Sequence, residues 1–196
     1  MRQLPVLFGD KSPENFIPEK PWALVTWSMG TWTGLNISLN WHTNPPKFWL
    51  ALSPFIRFMG EGCRVSEKEF QLLQKSFRRR PEATLEHFCH QHKGMGKWFQ
   101  GDKIDEGDKE DLDHSLSLLS QKLQTPPALD LPMKALYGEE DLLVTKPMVR
   151  EFADLFSQYD TIPLKGLSHA LLYEEPQAVG TELKKLLHSC NSKNEI

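Results

Sequence analysis

The chain has 196 residues, a formal charge of -3, 39% hydrophobic and 25% charged residues, a length and balance that suit one soluble globular domain over residues 1–196. Such a charge leaves no broad basic field, so a nucleic-acid partner is excluded. No run approaches the roughly 20 apolar residues that cross a bilayer, and Met1-Arg2-Gln3-Leu4-Pro5 lacks the apolar core of a signal peptide, so a cytosolic protein without a membrane partner is expected.

In chain order, Leu4-Pro5-Val6-Leu7-Phe8-Gly9 offers material for one strand, and Ala23 to Trp27 reads as a buried strand. Ser28-Met29-Gly30 then turns into a helix predicted over Thr31 to Trp41, which stops before the breakers Thr43-Asn44-Pro45-Pro46. Phe48 to Leu52 is a second strand. From Ser66 to Gln124 the alternation stops, and helices are predicted over Ser66 to Arg79, Glu82 to His92 and Leu112 to Leu123, a helical lid inserted at about 64–125. Ser66 and Glu69 fit a capping box, and Pro81 suits a first helical turn. The acidic and Lys-rich stretch Asp102 to Asp113 reads as a solvated loop and helix start. Met133 to Tyr137 is a third strand, followed by a helix over Lys146 to Gln158 with Val149, Phe152, Ala153 and Phe156 at helical spacing. Thr161 to Leu164 is the last strand, with a terminal helix behind it. Strands alternating with helices predict an α/β fold with a mostly parallel sheet.

Three short segments carry chemistry. Thr26-Trp27-Ser28-Met29-Gly30 approximates G-x-S-x-G with threonine in place of the first glycine, and it lies between a strand and a helix. A sharp turn at that place exposes a serine hydroxyl and aims a helix N-terminus at a developing oxyanion. Tyr137-Gly138-Glu139-Glu140-Asp141 follows another strand, where a carboxylate can orient a histidine; Asp141 is preferred to Glu140. His169 follows the last strand, which completes the chain order Ser, Asp, His of serine hydrolases built on this plan. Ser28 is therefore read as the nucleophile of an ester hydrolase, His169 as its base, Asp141 as the orienting acid and the Met29 N–H as an oxyanion donor.

Other clusters read differently. Cys63, Cys89 and Cys190 are odd in number and widely spaced, which favours reduced thiols over a disulfide framework or a zinc knot. His87, His90 and His92 with Cys89 lack the carboxylate or cysteine pair that would complete a metal site, so neither metal nor cofactor is expected. Arg78, Arg79 and Arg80, with Lys68 and Lys75, form a local basic patch, either a solvated helix end or a dock for an anionic partner.

From about Trp22 to the C-terminal helix, the sequence resembles the pimeloyl-[acyl-carrier protein] methyl ester esterases of biotin biosynthesis, members of the α/β-hydrolase superfamily. The resemblance rests on Trp27-Ser28-Met29-Gly30, Leu50-Ala51-Leu52-Ser53-Pro54, Thr84-Leu85-Glu86-His87-Phe88, Gly94-Met95-Gly96, Leu136-Tyr137-Gly138 with Asp141, and His169-Ala170 with Glu175-Pro176. It implies hydrolysis of the methyl ester of pimeloyl-acyl-carrier protein, with that carrier as partner. It also implies substrate contacts at Met29 and at Phe88, Cys89, His90, Gln91 and His92 in the lid. Trp27 beside the nucleophile would add an aromatic wall suited to a methylene chain. An acidic carrier would give Arg78, Arg79 and Arg80 a role, although His87 stands where the family pattern has an arginine. The departure is ahead of Ser28, where only 27 residues precede the serine and nothing matches the family's oxyanion loop. The chain thus reads as an N-terminally shortened member whose second oxyanion donor is unidentified. Two alternatives stay open: a general carboxylesterase or thioesterase on small acyl esters, and a catalytically inactive hydrolase-like binding protein.

Overall fold

The computed structural model describes residues 22–38, 44–91, 104–121 and 128–192. Its four strands, β1 (Leu24–Trp27), β2 (Trp49–Leu52), β3 (Leu129–Gly138) and β4 (Phe156–Leu164), form one parallel sheet in that order. Parallel neighbours require a crossover, and helices supply each one. Helix α1 (Gly30–Ser38) joins β1 to β2, while α2 (Glu67–Arg79), α3 (Pro81–Gln91) and α4 (Glu106–Leu119) lie between β2 and β3. Helix α5 (Lys146–Ala153) joins β3 to β4, and α6 (Leu171–Glu174) and α7 (Pro176–Ser192) follow.

Alternation along β2 divides the core. Trp49 and Ala51 enter a cluster with Trp32 and Leu35 of α1 and Met148, Val149 and Phe152 of α5. Leu50 and Leu52 enter the opposite cluster, with Leu171 of α6 and Val179 and Leu186 of α7. Successive strand residues face opposite sides, so a strand covered by helices on both faces is apolar throughout. Helix α1 approaches β2 closely because Gly34 has no side chain, and a Cβ there would overlap the Trp49 ring. Lys134 of β3 reaches Glu182 of α7 at 2.9 Å on the second face. Hydrogen bonds from Lys185 and Lys134 hold the Glu182 carboxyl below its usual value.

The four expected strands are present, two of them longer than their sequence ranges. β3 begins at Leu129, where an irregularity between Leu129 and Pro132 precedes the regular register. The largest correction is at the next crossover. The helix expected to run to Gln158 ends at Ala153, and Phe156 opens β4 instead. From the strand, Phe156 packs on the rings of Trp49 and Phe152, with centroids 5.4 and 5.2 Å away. Among the described residues β4 is an edge of the sheet, so Ser157, Gln158, Tyr159 and Asp160 are exposed and Pro163 is tolerated.

Helix α2 starts at the expected capping box: Ser66 N–H donates to Glu69 and Glu69 N–H donates to the Ser66 hydroxyl. Pro81 opens α3. Helix α4 starts at Glu106 rather than Leu112, because the Asp105 side chain accepts the Asp108 N–H and Glu106 and Asp108 favour the first turn. The strand expected at residues 4–9, the ends of helices expected at Trp41, His92 and Leu123, and the segment Gly94-Met95-Gly96 lie outside the described residues. Among the described residues no helix is long and apolar enough to cross a membrane.

Candidate active site

Ser28 follows β1 directly and has a left-handed backbone, φ 52°. Such a residue costs roughly 1–3 kcal/mol and persists only where its surroundings hold it. Here the Ser28 N–H donates to the Leu52 carbonyl at 2.8 Å, and its own carbonyl accepts the Thr31 N–H at 3.0 Å as α1 begins. The chain is thus pinned to β2 on one side and to a helix on the other. Thr26, in the place of the motif's first glycine, is buried, and its hydroxyl accepts the Trp49 indole N–H at 2.8 Å. A Cβ on Gly30 would lie 4.0 Å from the Thr26 Cβ, an ordinary contact, so the turn has room for threonine.

Strands β3 and β4 supply the other two groups. Asp141 sits in the turn after β3, where its Oδ1 accepts the N–H groups of Leu143 and Val144 at 2.8 and 2.9 Å. Its Oδ2 lies 2.9 Å from His169 Nδ1, and His169 Nε2 lies 2.8 Å from Ser28 Oγ. A carboxylate only accepts, so Nδ1 carries a proton, and whenever the ring is neutral Nε2 is left to accept the Ser28 hydroxyl. Burial raises the Asp141 carboxyl, but the His169 hydrogen bond and charge and the N–H groups of Val144 and Leu143 outweigh it and hold Asp141 below its ordinary value. The side chains of Asp141 and His169 are 0% and 4% exposed, whereas Ser28 is only half-buried. Asp141 and His169 are thus shielded, and Ser28 is the member of the chain of bonds with partial exposure. Glu140 is exposed, so Asp141 rather than its neighbour enters the chain of bonds.

The two loops fit together because Gly138 ends β3. A Cβ there would overlap the Leu167 and Ser168 carbonyls, and the Glu140 N–H donates to the Leu167 carbonyl at 2.9 Å. Trp27 braces the same loop: its indole N–H donates to the His169 carbonyl at 2.9 Å, and its ring lies against His169 and Tyr173.

A second serine with left-handed backbone was not anticipated. Ser53, φ 43°, follows β2 as Ser28 follows β1, one position beyond the paired residues Trp27 and Leu52. It is fully buried and its hydroxyl has no hydrogen-bond partner among the described residues, so it has neither a base nor access. The signal was Ser53-Pro54 at a strand end, which carries no chemistry of its own.

An open cleft of about 370 Å³ is lined by Arg64, Gln91, Glu140, Leu142 and Ser168, none of them a member of the triad. Three of these residues adjoin Asp141 or His169 in the chain. Of the segment expected to contact substrate, Gln91 lines this cleft, Phe88 is half-buried and His90 is exposed near Glu86. Cys89 is buried, which pushes its thiol up, and His92 lies outside the described residues. Arg78 pairs with Asp113 of α4 at 2.8 Å, while Arg79 and Arg80 are exposed at the end of α2. Met29 is half-buried at the N-terminus of α1.

No family model and no curated protein matches the chain. Solved structures do. An esterase from Exiguobacterium antarcticum superposes with a TM-score of 0.71 at 13% identity, covering 84% of this chain and 66% of that one. A 2-hydroxy-6-oxo-6-phenylhexa-2,4-dienoate hydrolase from Rhodococcus sp. gives 0.67 at 16% identity, covering 86% and 64%. This is the α/β-hydrolase fold. A bromoperoxidase from Bacillus anthracis also matches, at 0.62 and 12% identity over 85% and 67% of the two chains. The chain spans about two thirds of the length of these α/β-hydrolase structures. Their names differ in chemistry, so the fold leaves the reaction to be argued from the site.

Proposed function

We propose that this protein is a serine hydrolase of carboxylic esters in which Ser28 is the nucleophile, His169 the base and Asp141 the orienting acid. The observation that carries the reading is the unbroken chain from Ser28 Oγ to His169 Nε2 and from His169 Nδ1 to Asp141 Oδ2. As Ser28 attacks the ester carbonyl, its proton passes to Nε2, and Asp141 stabilises the imidazolium. The Met29 N–H, at the N-terminus of α1, is the donor assigned to the developing oxyanion. His169 returns the proton to the departing alcohol, and water, deprotonated by His169, then cleaves the acyl-enzyme.

The proposed substrate is the methyl ester of pimeloyl-acyl-carrier protein, in biotin biosynthesis. Three features support it: the sequence resemblance described above, Gln91 in the cleft that it shares with the chain neighbours of Asp141 and His169, and exposed Arg79 and Arg80 on a helical segment suited to act as a lid. Exposed cations on a docking face raise the capture rate of an acidic partner and leave the chemical step unchanged.

The test compares methanol release from the carrier-bound ester and from free pimelate dimethyl ester. Wild type should prefer the carrier-bound form, Ser28→Ala should abolish both activities, and Arg79→Glu with Arg80→Glu should lower kcat/KM about 10-fold for the carrier-bound form alone. Equal rates on the two esters would remove the carrier from the proposal. Failure of a fluorophosphonate to label Ser28 would remove the esterase.

A further inference from the structure

His169 lies on a loop between β4 and the four-residue α6, where no helix or strand fixes its backbone. Its position depends on the bonds made by its neighbours. The Ser168 N–H donates to Glu174 Oε2 at 2.8 Å, and the Ser168 hydroxyl donates to Glu174 Oε1. One carboxylate therefore takes both donors of the residue immediately before His169. The Ser168 hydroxyl in turn accepts the Ala170 N–H, the residue immediately after, at 3.4 Å. On the other side Trp27 holds the His169 carbonyl. Ser168, His169 and Ala170 are all buried, with exposures of 5% or less.

We infer that Glu174 is a positioning residue for the reaction proposed above: its carboxylate clamps Ser168 and so sets where His169 presents Nε2 to Ser28. Charge-assisted hydrogen bonds are stronger and more directional than neutral ones, which suits a carboxylate to fixing a loop that its own secondary structure does not fix. The clamp is built locally. Glu174 ends α6, six residues after Ser168, so the short helix folds its last side chain back over the loop that precedes it. Asp141 orients the imidazole ring from the Nδ1 side, while Glu174 orients the backbone that carries the ring. Glutamine at position 174 keeps one oxygen for the Ser168 N–H and offers an amide donor to the Ser168 oxygen, so it preserves the connection; alanine removes it. Glu174 stays outside the cleft while Ser168, which it holds, lines it, so the loss of Glu174 bears on turnover more than on KM.

The inference rests on the esterase reading, and two independent readouts separate them. The first is kcat and KM for p-nitrophenyl butyrate. Glu174→Ala should lower kcat about 10- to 100-fold with a smaller change in KM, as a base displaced by a fraction of an ångström to 1 Å would, and Glu174→Gln should recover most of it. The second is the proton NMR signal of His169 Nδ1–H, assigned by its loss in Asp141→Ala, which needs no turnover. It should be sharp in wild type and Glu174→Gln and exchange-broadened in Glu174→Ala. If Glu174→Ala folds and keeps both wild-type kcat and a sharp signal, the positioning role is wrong. If wild type itself is inactive, the esterase reading falls and the NMR signal still decides the clamp. Should the alanine variant fail to fold, Glu174→Asp carries the test: its shorter side chain should lower kcat and broaden the signal partially, and wild-type values of both would overturn the inference.

Discussion

Adding one methyl group at Gly138 should inactivate the site from outside the triad. On the existing backbone a Cβ at 138 lies 2.6 Å from the Leu167 carbonyl carbon and overlaps the carbonyl oxygens of Leu167 and Ser168, whereas ordinary contact begins at 3.4 Å. Both obstructing groups are backbone, so no side-chain rotation relieves the overlap. The loop before His169 must retreat by about 1 Å, which takes the 2.8 Å bond between Nε2 and Ser28 Oγ out of hydrogen-bonding range. A misplacement of about 1 Å costs on the order of 100-fold in rate, equivalent to about 2.7 kcal/mol of barrier. Overpacking the same position costs roughly 1–3 kcal/mol of stability. Turnover of p-nitrophenyl butyrate well below the melting temperature isolates the first effect, and a thermal melt measures the second. A folded Gly138→Ala protein with wild-type kcat would refute the idea that contact between the two loops sets the histidine.

Asp141→Asn tests the electrostatics of the same pair. The folded-state carboxyl lies below its ordinary value, so its stabilising contribution is complete above the ordinary carboxylate range and is lost as pH falls through the folded value. Urea denaturation should show wild type losing stability below that range and Asp141→Asn losing less over the same window; parallel curves would exclude Asp141 from the acid response. Gly34→Ala should act on stability, since its Cβ would overlap the Trp49 ring and lie 3.1 Å from Leu24 Cδ2. At roughly 1–3 kcal/mol and about 2–4 °C per kcal/mol, the melt should drop by several degrees, and an unchanged melting temperature would mean that Trp49 swings aside at little cost.

The helix-covered strands were legible because burial on both faces leaves short apolar runs such as Trp49-Leu50-Ala51-Leu52. Edge strand β4 was legible only in its last residues. Its exposed stretch from Ser157 to Asp160 has no apolar alternation, and Phe156 continues the helical spacing of Val149 and Phe152 although it packs from a strand. At the site, places after strands nominate Ser28, Asp141 and His169, and the structure brings those three side chains into one hydrogen-bonded chain. The support around them was not legible. Gly138 is needed for a contact with residues 29 and 30 positions later, and Glu174 acts through Ser168, so neither carries a local pattern that distinguishes it from an ordinary turn glycine or a helical glutamate. Trp27, an aromatic beside the serine in sequence, also donates its indole N–H to the His169 carbonyl, a partner 142 residues away that no local pattern announces.

The parallel sheet explains why such distant residues meet. With every strand pointing the same way, the chain leaves β1, β2, β3 and β4 at one edge of the sheet, and the groups that follow them are neighbours whatever their separation in sequence. That edge carries Ser28, Ser53, the Asp141 turn and the His169 loop in spatial order. Placement after a strand therefore nominates two serines, and left-handed backbone at both does not separate them. Exposure and a histidine partner do: Ser28 is partly exposed and bonded to His169, while Ser53 is sealed beneath the surface. Strand ends thus supply candidates, and the loops beyond β3 and β4 choose among them by where Gly138, Trp27 and Glu174 allow the histidine to stand.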